Sequence, residues 1–222
     1  MLKQEATKLE FFPQATRPAD SNAKTIDAYN HHVQEYVDAT ASSMSQHQPE
    51  VREWVDTALE TIPYSGQIFE IGSATPRDAA YMRSRGYHVT CSDGAIGFVE
   101  YLNHLGEPAQ LFNVLQDTFP GRYNMIFANA VFPHFTSEEM RFVFSKIRNA
   151  LSDRGTLAFT IKYGDGEEWI SEKIHDERFT HYWKKDDLFE LLHQTGFEII
   201  FENSNVGKLP SHKWLNIVAR RP

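Results

Sequence analysis

Glu70, Gly72 and Asp93 are the residues from which a chemistry can first be read. Ile68-Phe69-Glu70-Ile71 is a short apolar run suited to a buried parallel strand, and Glu70 is its one charge, close to the strand's carboxyl end. Gly72 permits a turn that brings backbone close to a ligand, while Pro76 fits the first turn of the helix carrying Ala79, Ala80 and Met82. Open α/β sheets bind ligands beyond the carboxyl ends of their strands. There an acidic residue about twenty positions further on takes the ribose hydroxyls. Asp93, closing Val89-Thr90-Cys91-Ser92, stands at that place, although an aspartate there also suits the cap of the next helix. The chemistry implied is recognition of a ribose-bearing ligand. Ala74 and Pro76 occupy positions where a dinucleotide loop has glycines, which weakens a dehydrogenase reading.

The elements that must position these residues follow from periodicity. Ile26, Tyr29, Val33, Tyr36 and Val37 share a face at steps of three and four, predicting a helix from Thr25. A second helix runs from about Pro49 to Leu59, with Val51, Trp54, Val55, Ala58 and Leu59 for packing. Both precede the first strand and would cover the ligand site. After the first strand and its helix come a strand over Tyr87–Ser92, a helix over Ile96–Leu105, and strands over Gln110–Val114 and Asn124–Ala128. Thr136-Ser137-Glu138-Glu139 has capping-box spacing and opens a helix to about Leu151. Leu157–Ile161 is the fifth strand, and Lys162–His181 reads as a long loop, a length that compact domains usually reserve for function. A helix over Asp186–Thr195 and strands over Phe197–Phe201 and Trp214–Ala219 end the pattern. The final two strands are joined by too short a segment for a parallel crossover and should pair antiparallel.

The expectation is a Rossmann-like, doubly wound α/β fold: a seven-stranded sheet, mostly parallel, with a reversed C-terminal edge strand and N-terminal lid helices. Residues 1–62 would form an arm and the lid helices, and residues 63–222 the core, within one structural domain.

A chain of 222 residues with 41% hydrophobic content can bury a sizeable core. Its 30 Asp and Glu against 22 Lys and Arg leave a formal charge of −8, which excludes a nucleic-acid backbone as the main partner and favours a small-molecule substrate. Met1-Leu2-Lys3-Gln4-Glu5 has no apolar signal core, and no run is long enough to span a bilayer, so no membrane partner and a cytoplasmic location are expected. Cys91 is the single cysteine. It falls in a predicted strand and suits packing better than reactivity, and no metal-ligand spacing stands out among the histidines. Monomer and homodimer are both left open.

Five stretches, in order, carry a resemblance: Gly72-Ser73-Ala74-Thr75-Pro76-Arg77-Asp78, Arg85-Gly86-Tyr87-His88-Val89-Thr90-Cys91-Ser92-Asp93, Ile161-Lys162-Tyr163-Gly164-Asp165-Gly166-Glu167, Arg178-Phe179-Thr180, and Trp214-Leu215-Asn216-Ile217-Val218-Ala219-Arg220. Together they resemble the class I S-adenosylmethionine-dependent methyltransferases, in particular the small-molecule group that includes tellurite-resistance-type methyltransferases, over nearly the whole chain. The resemblance implies S-adenosyl-L-methionine as cofactor. Glu70 and the turn Gly72, Ser73 and Ala74 would border its methionine part, with Arg77 as a carboxylate partner. Asp93 and Gly94 would meet the ribose, Gln116 and Asp117 the adenine, and Asn129 and Ala130 the sulfonium side. Tyr29 and Tyr36 would close over it, although the same tyrosines also suit plain packing on a sheet.

The same resemblance puts His134, Lys162, Tyr163, Arg178 and Trp214 near the acceptor, with His134, Lys162 and Arg178 as the catalytic group. A histidine suits a base near neutrality, and two cations in an acidic protein suit an anionic group on the substrate. The reading is methyl transfer to a small molecule. The altered turn at Ala74 and Pro76 keeps a second reading open, a non-catalytic cofactor- or nucleotide-binding module.

Overall fold

The computed structural model describes residues 21–41, 49–206 and 213–222. The expected N-terminal arm lies almost wholly outside the described residues. In chain order the elements are α1 (Ser21–His31), α2 (Val33–Ala41), α3 (Pro49–Glu60), β1 (Gln67–Ile71), α4 (Arg77–Ser84), β2 (His88–Asp93), α5 (Ile96–His104) and β3 (Ala109–Leu111). They continue with β4 (Tyr123–Ala128), a short 3-10 turn (Phe132–His134), α6 (Ser137–Ala150), β5 (Leu151–Lys162), β6 (Gly166–Ile170), β7 (Arg178–Tyr182), α7 (Lys185–Gln194), β8 (Glu198–Val206) and β9 (Lys213–Arg220).

Seven strands form one sheet in the order β3-β2-β1-β4-β5-β9-β8. The first five pair parallel, and β9 runs antiparallel to both β5 and β8. The C-terminal strand is therefore the reversed one, as its connection demands, but it lies one place in from the edge. Burial explains the order. Leu215, Ile217, Val218 and Ala219 are almost wholly buried, as suits a strand covered on both faces, whereas β8 alternates and exposes Glu198 and Glu202, as suits an edge.

Alternation along the strands divides the core. Phe69, Ile126, Leu157, Phe159 and Ile217 face α6 and α7, packing with Phe132, Met140, Phe144, Ile147, Leu188 and Leu192. Ile68, Met125, Phe127, Ala158 and Val218 face the other way, onto Met82 of α4 and onto α3. The α6 capping box is present, with Thr136 and Glu139 each accepting from the other's backbone N–H.

Three expectations are corrected. The helix from Thr25 is two helices broken at His32. The helix over Pro49–Leu59 is not part of a cover: its stripe of Trp54, Val55, Ala58 and Leu59 buries against the sheet, with Trp54 stacked on Phe127 at 5.1 Å between ring centroids. That stripe gains more from the sheet than from a ligand site. Much of the expected Lys162–His181 loop is an antiparallel hairpin, β6–β7, whose Trp169, Phe179 and Thr180 are strand formers that the loop-length argument overlooked.

Replacing Trp54 by alanine empties this contact and is expected to cost about 3 to 5 kcal/mol. Urea unfolding with an unchanged m-value checks it; a loss below about 1 kcal/mol would mean that α3 is not held by this face.

Candidate functional site

The site begins where β1 and β2 end side by side. Gly72 sits at φ 68°, and a β-carbon there would come 2.5 Å from Val131, so the position excludes any other residue twice over. The turn after it is tied to β2 by a compact set of bonds. The Ser73 N–H donates to the Ser92 carbonyl at 2.9 Å, and the Ser73 hydroxyl to Glu70 Oε2 at 2.6 Å. Ser92 Oγ donates to the Glu70 carbonyl at 2.7 Å. Asp93 then accepts from both sides of the cleft: the Ala74 N–H to Oδ2 at 3.0 Å and the Ala95 N–H to Oδ1 at 2.9 Å.

Two buried carboxyls result. Burial pushes the Asp93 carboxyl up to about 6, against the pull of the backbone N–H groups of Ala95, Ala74 and Gly94. Burial, and then the charge of Asp78, hold Glu70 well above the usual carboxylate range, with Ser73 and Arg77 acting the other way. Asp78 itself grips Arg77 through two bonds of 3.0 Å and accepts from Asn129 Nδ2 at 2.8 Å. Thr160 Oγ1 donates to Asn129 Oδ1 at 2.9 Å and accepts from the Ala130 N–H at 2.7 Å. The start of α4 and the strand ends β4 and β5 are thus joined by one polar chain.

Above these ends lies a cleft lined also by residues of α1 and α2. Of the predicted residues, Tyr29, Tyr36, Gly72, Ala74, Asp93, Gly94, Asn129, Ala130 and His134 line it. Glu70, Ser73 and Arg77 do not: the first two are buried beneath the turn, and Arg77 is drawn to Asp78. Gln116 and Asp117 are exposed and outside the cleft, where Asp117 accepts from the Asn113 N–H at 2.7 Å. In their place Phe112, Asn113 and Val114 reach the cleft. They follow directly on β3, the position that the strand-end rule singles out, and were read as part of the strand itself. Ile26 also lines it, from the helical face that the spacing gave to Tyr29 and Tyr36, as do Asn22, Thr25 and Phe98, which carried no functional signal in the sequence.

The cover comes from α1 and α2. Gly97 has no side chain to hold the two helices away: a β-carbon there would lie 2.7 Å from Val33 of α2 and 3.2 Å from the Asn30 carbonyl of α1, and its N–H donates to Asn30 Oδ1 at 3.1 Å. Tyr29, Tyr36 and Phe98 make an aromatic trio with centroids 5.3 to 5.9 Å apart. The hairpin holds α1 from outside, through Phe179 N–H to Thr25 Oγ1 at 3.1 Å. The Lys24–Glu177 pair adds little, being more than half exposed on both sides.

His134 sits between cover and hairpin. Its Nδ1 lies 2.7 Å from the Phe179 carbonyl, which can only accept, so Nδ1 carries the proton. Nε2 then accepts from the Tyr29 hydroxyl at 2.9 Å, and Tyr29 accepts from Arg178 Nη1 at 3.2 Å. Burial drives the His134 ring down to about 3, reinforced by the charges of Arg178, Lys162 and Lys173 and opposed by the Phe179 carbonyl. The imidazole is neutral at physiological pH, with both nitrogens engaged.

Lys162 and Arg178 lie behind this pair, 6% and 2% exposed. Trp214 is the register partner of Lys162 on β9, so the two share a sheet face, while Tyr163 is 42% exposed.

A sheet of this order, with its reversed strand inserted beside β5, and a cleft over the ends of β1, β2 and β4 together constitute the class I methyltransferase fold. Solved structures agree with it. The chain is similar to the 1,6-didemethyltoxoflavin-N1-methyltransferase of Burkholderia thailandensis, solved with 1,6-didemethyltoxoflavin and S-adenosylhomocysteine bound. The TM-score is 0.74 at 16% identity, covering 95% of this chain and 93% of that one. It is also similar to TehB from Haemophilus influenzae, with TM-score 0.62, 16% identity and coverage of 85% and 67%. The glycopeptide N-methyltransferase MtfA in complex with S-adenosylhomocysteine gives TM-score 0.63, 14% identity and coverage of 82% and 95%. No protein-family model matches the sequence, and no curated protein matches it either.

Glu70 yields a pH prediction. Its folded value lies above its unfolded one, so the folded protein keeps a proton that the unfolded chain has released. Stability should fall as pH rises from the ordinary glutamate range through the raised value, and level off above it. Glu70→Gln mimics the protonated carboxyl and should flatten this slope in thermal melts; an unchanged slope would show that Glu70 titrates normally.

Proposed function

We propose that the protein transfers a methyl group from S-adenosylmethionine to a small molecule bearing an anionic group. The observation that carries this reading is the pairing of a cleft over the strand ends with two buried cations, Lys162 and Arg178, beyond its His134 wall. The fit to the cofactor rests on the donor and acceptor set. Asp93 offers carboxylate lone pairs beyond its two backbone bonds, which suits ribose hydroxyls. Phe98, Phe112 and Val114 offer apolar surface for a purine, and Asn113 an adjacent amide. Bound there, the cofactor would supply an electrophilic methyl on a sulfonium.

The chain's own part is positioning. Tyr29 and Tyr36 cover the cleft and exclude water. Asn129, held by Asp78 and Thr160, and Ala130 shape the wall between cofactor and acceptor. His134 takes no proton from the acceptor in this reading, because Nδ1 is committed to Phe179 and Nε2 to Tyr29; it fixes the Tyr29 hydroxyl, which in turn orients Arg178. Lys162 and Arg178 hold the acceptor's negative charge. The acceptor therefore offers a nucleophile that is already free of its proton, and the transfer runs without a general base.

Calorimetric titration with S-adenosylmethionine and S-adenosylhomocysteine tests the reading; no heat and no thermal shift with either would overturn it. Asp93→Ala should weaken binding by about 1 to 3 kcal/mol. Because a proton on Asp93 competes with the ribose hydroxyls, wild-type affinity should fall as pH drops below about 6, and the variant should lack that slope. Equal affinity in variant and parent would remove Asp93 from the site.

Amide exchange probes the cover. Residues 21–41 and 162–181 should exchange faster than β1 and β4 without ligand and slow when S-adenosylhomocysteine is added. Exchange that ignores the ligand in both segments would reduce Tyr29 and Tyr36 to core packing.

A further inference from the structure

Alternation along β5 places Ala158, Thr160 and Lys162 on one face, so that row passes from methyl to hydroxyl to ammonium as the strand reaches its carboxyl end. Alternation along β7 does the same for Arg178, Thr180 and Tyr182. The two rows approach each other, since Lys162 Nζ lies 5.2 Å from the centre of the Tyr182 ring. Lys162, Arg178 and Thr180 are 6%, 2% and 0% exposed.

Seven buried side-chain polar atoms have no hydrogen-bond partner among the described residues, and four of them are Lys162 Nζ, Arg178 Nε, Arg178 Nη2 and Thr180 Oγ1. The others lie elsewhere: Trp183 just past the end of β7, Arg220 and Arg221 at the far end of the sheet. Burying donors unmatched is costly, and two buried cations side by side are costlier still. The charges of Glu172 and Glu168 act on Lys162, against the effect of its burial. A merely structural cluster would carry its counter-ion in hydrogen-bond contact.

The orientation of Arg178 narrows the occupant. Tyr29 takes Nη1, and the Tyr29 ring lies 5.4 Å from the guanidinium carbon. The unmatched donors, Nε and Nη2, form the opposite edge of the guanidinium, the edge that presents two parallel N–H bonds in one plane. Such an edge matches two acceptor atoms held in a plane on one group.

We propose that Arg178, through its Nε–Nη2 edge, together with Lys162 and Thr180, forms the acceptor's recognition subsite, and that the acceptor is a planar carboxylate-type anion, gripped in two-pronged fashion, rather than a neutral molecule. This deepens the methyl-transfer reading and rests on it for the role of the neighbouring cleft. The Tyr29 hydroxyl, brought in by α1, holds the guanidinium in this orientation, so the subsite is complete only when the cover is closed. Ionised heterocyclic imides offer the same pair of in-plane acceptors as a carboxylate, and the two sources are separable.

The test uses the full-length protein saturated with S-adenosylhomocysteine and matched probes: benzoate and nicotinate, their amides benzamide and nicotinamide, and 5,5-diethylbarbiturate, which has no C5 proton and ionises at its imide nitrogen. Melting temperature and calorimetry are read for each. Acids, or barbiturate if the imide is the source, should raise the melting temperature while the amides do not. Lys162→Met and Arg178→Gln should each weaken the anion by about tenfold or more. Lys162→Met should also melt higher than the parent without any probe, since it removes an unmatched buried charge; an ordinary structural cation would give the opposite shift. Binding of S-adenosylhomocysteine by the variants checks their folding, and Lys162→Met keeps the test open if Arg178→Gln does not fold. Amides binding as well as acids, no anion binding at all, or a lower melting temperature for Lys162→Met would each overturn the subsite. Failure of the parent to bind S-adenosylhomocysteine would instead overturn the methyl-transfer reading.

Discussion

The site depends on one constraint: β1 and β2 must end together, with their turns locked, so that backbone and carboxylate face a common space. Asp93 meets that constraint by accepting from Ala74 on one crossover and Ala95 on the next, so a single buried carboxylate joins two loops whose helices start on either side. Ser73 and Ser92 add a second tie through Glu70. Without these bonds the N–H groups of Ser73, Ala74 and Ala95 would be left unmatched near a buried turn, at a cost comparable to the bonds themselves. Both carboxyls sit where burial works against their charge, a destabilised arrangement typical of places that bind rather than of places that only fold.

A second layer rests on the first. The Gly97 contact lets α1 lie close, which brings Tyr29 within bonding distance of His134, and His134 is itself pinned to the hairpin at Phe179. One tyrosine hydroxyl therefore connects cover, sheet-end turn and the arginine behind them. The line of bonds from Phe179 through His134 and Tyr29 to Arg178 has a fixed direction of donation, set by the carbonyl that can only accept at one end and the guanidinium that can only donate at the other. That direction is why the histidine, a natural candidate for a base from its residue type alone, is better suited to orienting its neighbours.

The balance of charge repeats the same logic on a larger scale. The protein is acidic overall, yet Lys162 and Arg178 are buried beyond the His134 wall of the cleft, with Lys173 near enough to depress the His134 ring. A net negative protein around two buried cations disfavours polyanions more than it does a small anion.

What the sequence determined by itself was whatever depends on local pattern and chain direction. Apolar runs separated by helical spacing specified the seven strands, and Gly72 and Asp93 marked the turn, because a tight turn needs a permissive backbone and the strand-end rule is a matter of spacing. The helix spacing also brought Tyr29 and Tyr36 to one face. Tertiary structure decided the rest. Burial on both faces drew β9 inward from the edge, and the size of its apolar stripe took α3 from the cover to the sheet. Asp117 looked like the acceptor after the third strand, but its carboxylate bonds the Asn113 backbone and leaves Asn113 at the cleft. The unmatched donors of Lys162, Arg178 and Thr180 were invisible in one dimension, because matching a donor requires knowing what lies within about 3 Å of it, and those neighbours come from strands, a hairpin and a helix as much as 150 residues apart.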